Sequence, residues 1–245
     1  GCQTIIWGRQ FRNLARALDL IAACGFQGVE FAQHPRELSN WDFPQLHREA
    51  ASRGLTILGL AGGTLKERME FLGPERGPYL YVDEWNEEAV TAAVKRGFRV
   101  AIHPHAFMGL DHLEVAFKRL YDHPQVLWLP DTAPLASAGQ NIERAIQRFP
   151  HRVAAIHFKD WTPVYGRLSQ RYARGFRALG NGALPLEKIA RFIHQQDWSR
   201  RPAGFGARPW IVTEQDVSED RVRDLAEAAD WCRRQGFGIQ PPNIT

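Results

Sequence analysis

Four stretches of this chain run apolar and then stop on residue types that bind metals or move protons. They are Arg99–His105 (R-V-A-I-H-P-H), Val126–Asp131 (V-L-W-L-P-D), Val153–Asp160 (V-A-A-I-H-F-K-D) and Trp210–Asp216 (W-I-V-T-E-Q-D). Their ends supply His103, Asp131, His157 and Glu214, two imidazoles and two carboxylates, a donor set suited to one divalent ion. Any one of these alone says little. A single strand-end histidine is commonly a hydrogen-bonded structural residue, and a single aspartate commonly caps the next helix. Four on successive apolar runs point to a metal. Mixed nitrogen and oxygen ligation suits manganese, cobalt, zinc or iron, and two imidazoles make magnesium the least suited.

Short apolar runs of this kind read as parallel strands covered on both faces. Side chains two apart on a strand share a face, so His157 and Lys159 should project one way and Phe158 and Asp160 the other. The pattern predicts eight strands, at Thr4–Trp7, Phe26–Ala32, Thr56–Leu60, Tyr79–Val82, Phe98–His103, Gln125–Leu129, Val153–Asp160 and Trp210–Thr213. Between them, helical spacing and glycine stops predict helices near Phe11–Cys24, Phe43–Arg53, Glu84–Lys95, His112–Tyr121, Ile142–Phe149, Pro185–Gln196 and Glu219–Arg234. Thr64–Gly77 is a thinner connection, and Trp161–Gly182 is an irregular excursion that could serve as a lid or a subunit contact. Strict β/α alternation over 245 residues, with no interdomain linker, predicts one α/β domain, a single (β/α)8 TIM barrel spanning residues 1–245. The tail Gln240–Thr245 should be loosely attached. A doubly wound open sheet is disfavoured because no Gly-rich fingerprint follows the first strand. In a barrel the four strand ends meet at one face, where reactive groups sit.

Composition narrows the class. The formal net charge is +4, but basic residues are scattered among acids, and the densest cluster, Arg200–Arg201 with Arg208, lies in a Gly/Pro-rich loop; nucleic acid is not expected as a partner. Three widely spaced cysteines without a C-x-x-C pair fit a reducing cytoplasm and no disulfide framework. No apolar run approaches the ~18 residues of a membrane span. A cytoplasmic protein acting on a small molecule is therefore expected.

The motifs F-Q-G-V-E-F-A, H-P-H, L-P-D-T, I-H-F-K-D, L-G-N-G and W-I-V-T-E-Q-D, in that order from Ile5 to about Ala229, resemble the xylose isomerase-like TIM barrel superfamily. That superfamily comprises sugar phosphate isomerases/epimerases, inosose dehydratases and the family-two AP endonucleases. The resemblance implies the same fold, metal ligation by His103, Asp131, His157 and Glu214, and association into homo-oligomers. Two departures matter. Many members carry a glutamate, both ligand and catalytic base, where this chain has His103; inosose-dehydratase-like members tend to have histidines there. The family often reads D-x-x-H after the second ligand, whereas this chain reads Asp131-Thr132-Ala133-Pro134. Both weaken a two-base epimerase assignment.

A divalent ion on a ketone oxygen and the neighbouring hydroxyl acidifies the α C–H bond by stabilising the enediolate. Returning the proton elsewhere isomerises or epimerises; losing a β-hydroxyl dehydrates. Glu214 or His105 is the expected proton carrier, and Lys159 the cationic partner of the developing or leaving oxygen. His105 and Lys159 are also candidate substrate contacts. Glu30 is either a substrate-binding carboxylate at the mouth or an ion-pair partner beneath it. Trp7 could stack on a sugar face, though core packing is the commoner fate. Lys159 could instead neutralise Asp131 or Asp160, and Asp216 is expected to brace the last loop. Gly180 and Gly182 could approach a phosphate or merely make a turn. The expected activity is that of a metal-dependent isomerase or epimerase on a keto-sugar or keto-cyclitol. Its alternatives are an inosose dehydratase-type lyase, a non-catalytic sugar-binding barrel and, against the missing ligand at Pro134, an endonuclease.

Overall fold

The structure, a computed structural model, describes residues 1–8, 13–38, 41–103, 109–163, 174–201 and 206–240. Its strands are β1 (Cys2–Gln3), β2 (Gly28–Phe31), β3 (Thr56–Leu60), β4 (Tyr79–Val82), β5 (Arg99–Ile102), β6 (Leu127–Trp128), β7 (Ala155–Phe158), β8 (Asp160–Trp161), β9 (Phe176–Arg177) and β10 (Trp210–Thr213). Helices α1 (Leu14–Ala23), α2 (Phe43–Ala51), α3 (Leu65–Leu72), α4 (Glu87–Lys95), α5 (Gly109–Asp122), α6 (Thr132–Ser137), α7 (Ile142–Gln147), α8 (Leu186–Gln195) and α9 (Arg221–Arg234) alternate with them.

Eight strands form one all-parallel sheet in the order β6-β5-β4-β3-β2-β1-β10-β7. Its two ends meet through parallel bridges at Trp128 with Val153 and Asp131 with His157, which close the (β/α)8 barrel. This seam is thin because Pro130 has no N–H to donate; it only accepts, from the His157 N–H at 2.9 Å. Thr132 reinforces it, its hydroxyl donating to the Lys159 carbonyl (2.7 Å) and accepting from the Lys159 N–H (2.9 Å).

Alternation along each strand separates two cores. Outward residues such as Val29, Phe31, Leu80, Val100, Ile156 and Phe158 pack against the helices, with Leu18, Ile21, Leu46 and Ile189 among their partners. Burial of each such side chain contributes about 1.5–3 kcal/mol, and this layer offsets a costly interior. Inward residues are apolar only at the lower end, where Leu58, Tyr79, Ala101, Leu127, Ala155 and Val212 fill the barrel. Further along the same inward rows the types turn polar. Local signals fix the connections: Asp42 with Gln45 and Thr64 with Glu67 form capping boxes at α2 and α3.

Three local readings change. The T-I-I-W run is a 3-10 turn rather than the first strand, which is Cys2–Gln3. Thr4 is drawn out of extended geometry by its hydroxyl, which donates to Gln33 Oε1 at 2.5 Å and accepts from the Ala32 N–H at 3.0 Å. The connection after β6 holds two helices, because Asp131 caps α6 and Pro134 falls in its first turn, where no N–H is needed. The excursion after β7 contains the antiparallel pair β8–β9. Arg201, part of the basic cluster, is buried and donates to the Val153 and Ala154 carbonyls. Among the described residues no helix is long and apolar enough to cross a membrane.

Candidate metal centre

His103 follows β5, Asp131 lies beyond β6 at the cap of α6, His157 lies in β7 and Glu214 follows β10, all on inward rows at the C-terminal face. One ligand-type atom from each of the four lies within 4.8 Å of the other three, and all four residues are buried. His103 Nε2 sits 3.3 Å from Asp131 Oδ2, and His157 Nδ1 contacts Glu214 Oε2. Asp131 Oδ2, His157 Nδ1 and Glu214 Oε2 are buried and outside hydrogen-bond geometry with any partner. Such atoms are costly unless something else binds them.

Lys159, 2% exposed, reaches Asp131 at 3.2 Å, Glu214 Oε1 at 2.7 Å and Asp216 at 3.1 Å. It does not pair with Asp160, which points the other way, as the strand alternation requires. Asp216 therefore pairs with Lys159 instead of bracing the last loop. That brace is Asp224, which accepts from Gln215 Nε2 and the Ser218 hydroxyl, each at 2.7 Å.

Beneath this layer lies a second polar floor. Glu30, fully buried, is the acceptor of the Tyr79 and Tyr81 hydroxyls and of Gln3 Nε2 (3.3 Å), and it lies 2.9 Å from His157 Nε2. Its burial and its contact with His157 fit the ion-pair reading of this residue. Trp7, in the turn after β1, is 6% exposed and belongs to the large apolar cluster. His105 lies outside the described residues. Two features escaped the sequence reading, Tyr81 and Asp83. Asp83 Oδ1 lies 3.4 Å from His103 Nδ1, and the signal was available: Y-L-Y-V-D is another apolar run that stops on a carboxylate.

Gly180 and Gly182 cradle an anion that belongs to the chain. Their N–H groups donate to Asp160 Oδ2 at 2.9 and 3.0 Å, while those of Trp161 and Leu184 donate to Oδ1 at 2.8 and 3.3 Å. Gly180 has φ +89°, and a Cβ on Gly182 would lie 2.1 Å from Asp160 Oδ1. The L-G-N-G turn is thus shaped around a carboxylate, and the phosphate reading of these glycines gives way to the turn.

The electrostatics are those of a site short of positive charge. Burial disfavours the His157 imidazolium, but Glu30 and Glu214 outweigh it and push its pKa up to about 10. His103 is likewise disfavoured by burial and raised by Asp131 and Asp83, to about 9. Burial would raise the Glu214 carboxyl, yet Lys159 and His157 hold it well below the usual range. With neutral imidazoles, as metal binding requires, the carboxyl groups of Glu30, Asp83, Asp131, Glu214 and Asp216 gather about the two rings and Lys159 among the described residues. A divalent ion among the unsatisfied oxygen and nitrogen atoms would offset part of that surplus, so the donor set fits a metal.

No family model matches the chain, and no curated protein does. Solved structures do match in fold. The zinc-binding IOLI protein superposes with a TM-score of 0.70 at 12% identity, covering 98% of each chain. The probable 3-DHS dehydratase AsbF from Bacillus anthracis gives 0.70 at 13% identity, covering 95% of this chain and 97% of that one. A xylose isomerase-like TIM barrel/4-hydroxyphenylpyruvate dioxygenase fusion protein gives 0.64 at 16% identity; the match covers 98% of this chain, which spans 44% of the fusion. At 12–16% identity these likenesses show a shared fold, the (β/α)8 barrel.

Proposed function

We propose that the chain is a divalent-metal-dependent isomerase or epimerase acting on a keto-sugar or keto-cyclitol. The observation that carries this reading is the set of buried ligand atoms from His103, Asp131, His157 and Glu214, within 4.8 Å of one another, beside a lysine paired with two of them. These four residues would hold the ion, with manganese, cobalt, zinc or iron suited better than magnesium. When bound, it would supply Lewis-acid polarisation of a carbonyl and its neighbouring hydroxyl.

The chain's own residues would do the rest. Lys159, pressed among three carboxylates, would serve as a hydrogen-bond donor and not as a base. A substrate oxygen that took its hydrogen bond would leave Glu214 Oε1 open to receive the proton from the α carbon. Returning that proton to the neighbouring carbon isomerises; returning it to the other face of the same carbon epimerises, with His105 as the second carrier in the notional pair. The apolar wall of Phe176, 5.6 Å from the Lys159 ammonium, would exclude water from the exchange.

A lyase reading is favoured by one specific observation, the pairing of Lys159 with Glu214 at 2.7 Å. An acid beside the base could give its proton to a departing β-hydroxyl, releasing water. The zinc in IOLI and the dehydratase name of AsbF belong to those proteins, and they support a search in both directions.

The test is solvent deuterium incorporation into keto-sugars and inososes by metal-loaded protein, with absorbance monitored for a conjugated enone. Exchange without enone supports the isomerase or epimerase, and enone formation the lyase. Neither, in protein shown to hold about one equivalent of metal, would overturn both.

A further inference from the structure

We infer that Asp83 and Glu30 are positioning residues that hold the two imidazoles of the centre by opposite ring nitrogens, so that His103 presents Nε2 and His157 presents Nδ1. This rests on the metal reading of the site and goes beyond it, since neither carboxylate belongs to the donor set.

Each ring lies between two carboxylates. His103 has Asp131 at 3.3 Å on Nε2 and Asp83 at 3.4 Å on Nδ1. His157 has Glu214 on Nδ1 and Glu30 at 2.9 Å on Nε2. Asp131 and Glu214 belong to the donor set, so the nitrogens facing them form its inner side and the other two its outer side. The ring centroids are 5.0 Å apart with the planes tilted by 54°, and one ring nitrogen of each lies within 4.8 Å of the other. An acceptor on the outer nitrogen fixes the N–H there, orients the ring and leaves the inner lone pair for the ion.

The outer acceptors are built differently. Glu30 is locked by the Tyr79 and Tyr81 hydroxyls and Gln3, and Tyr81 also lies 2.7 Å from His157 Nε2. Asp83 continues the inward row Tyr79, Tyr81 at the end of β4 and is 32% exposed in its side chain. A histidine on β5 needs such an acceptor, whereas a glutamate there would not. Asp83, one strand away, therefore accommodates the departure at His103 that the sequence reading flagged.

The test uses cobalt and zinc with the full chain, comparing the unaltered protein with Asp83→Ala, Asp83→Asn and Glu30→Gln. Cobalt affinity is read by competition with a chelator, and the histidine ring N–H signals by 15N–1H correlation in the zinc-loaded protein. Asp83→Ala should keep one equivalent of cobalt and bind it about 10–100-fold more weakly. Asp83→Asn, which retains an acceptor oxygen, should recover part of the loss. The His103 Nδ1–H signal should move in the Asp83 variants and the His157 Nε2–H signal in Glu30→Gln, each without the other. Glu30 is buried and its variant could misfold; the half-exposed Asp83 keeps the inference testable. Unchanged affinity and unmoved ring signals in both Asp83 variants would overturn it, as would a fall in stoichiometry, which would make Asp83 a ligand. Failure of the unaltered protein to take up either metal would overturn the reading of the site itself, a result distinct from any behaviour of the variants.

Discussion

Asp160 and Glu214 are both buried carboxylates at the C-terminal ends of adjacent parallel strands, and they are satisfied in opposite ways. Asp160 accepts four backbone N–H groups, two on each oxygen, and faces no cation. Glu214 contacts Lys159 and His157, and its Oε2 lacks a well-formed hydrogen bond. A carboxylate saturated by neutral, fixed donors has no capacity left for a ligand. One held by movable charges, among other acids, keeps that capacity. The first organises the loop after β7; the second is available for chemistry.

The largest effect should come from the saturated acid. Asn at position 160 can turn either way, but each orientation sets its NH2 against two backbone N–H donors. Asp160→Asn should therefore lower unfolding free energy in urea by about 2–6 kcal/mol, at about 1–3 for each buried group left unpaired. The folded fraction should still take up metal with native stoichiometry. If metal uptake fell while folding held, the division between the two acids would break.

Glu214→Gln should do the reverse. Metal affinity should drop at least ~100-fold, by loss of an ionic ligand, and proton exchange into substrate should fall to background. The chelated protein should lose much less than the about 3–5 kcal/mol typical of breaking a buried pair. Lys159 would keep Asp131 and Asp216, and His157 would keep Glu30. Chelator competition and urea titration on the same preparation separate the two quantities.

Acidity sharpens the contrast further. The pKa values of His103 and His157 are raised in the metal-free fold to about 9 and about 10, against about 6.5 when unfolded. A raised folded value means the native state binds the extra protons, so this stabilisation is complete below about pH 6.5 and is lost as pH rises through 9 and 10. Metal-free protein should become less stable across that window. Metal binding displaces the same protons, so stabilisation by the ion should grow with pH over the same range. Urea midpoints with chelator and with zinc should diverge from pH 6.5 upward; parallel curves would show that the ion does not bind at these imidazoles.

The alternating architecture and the convergence of His103, Asp131, His157 and Glu214 were legible because both follow from period-two patterning: Trp210–Thr213 is the strand expected, and His157 and Lys159 share the inward face. It did not disclose what lies across the barrel. Tyr79 and Tyr81 read as apolar strand residues, yet their hydroxyls reach Glu30 from a strand 49 and 51 residues away in the chain. The same limit applies to Thr4, whose β-branched run favours a strand until Gln33 and Ala32 bind its hydroxyl. Asp160 shows the limit most clearly. Next to Lys159 in sequence it looks like an ion-pair partner, but the pleat turns it outward to a loop twenty residues on.

The last contrast concerns the seam on which the centre depends. Asp131 follows β6 and His157 lies in β7, and among the described residues two bridges join these neighbours, with Pro130 removing one donor and Thr132 joining the Lys159 N–H and carbonyl. Thr132→Val has nearly the same shape and leaves both backbone groups buried without that partner. It should cost about 1–3 kcal/mol for each of the two in urea titration, and Thr132→Ser should restore most of it. Hydrogen exchange should localise the loss to the Lys159 amide and its neighbours, leaving the β10–β7 ladder protected. Metal affinity should weaken severalfold with unchanged stoichiometry, because the ligands remain while the register between their strands loosens. A seam variant that lost stability uniformly around the barrel would show instead that β6 and β7 are held by the helices packed outside them, and that Thr132 contributes nothing particular to the distance between Asp131 and His157.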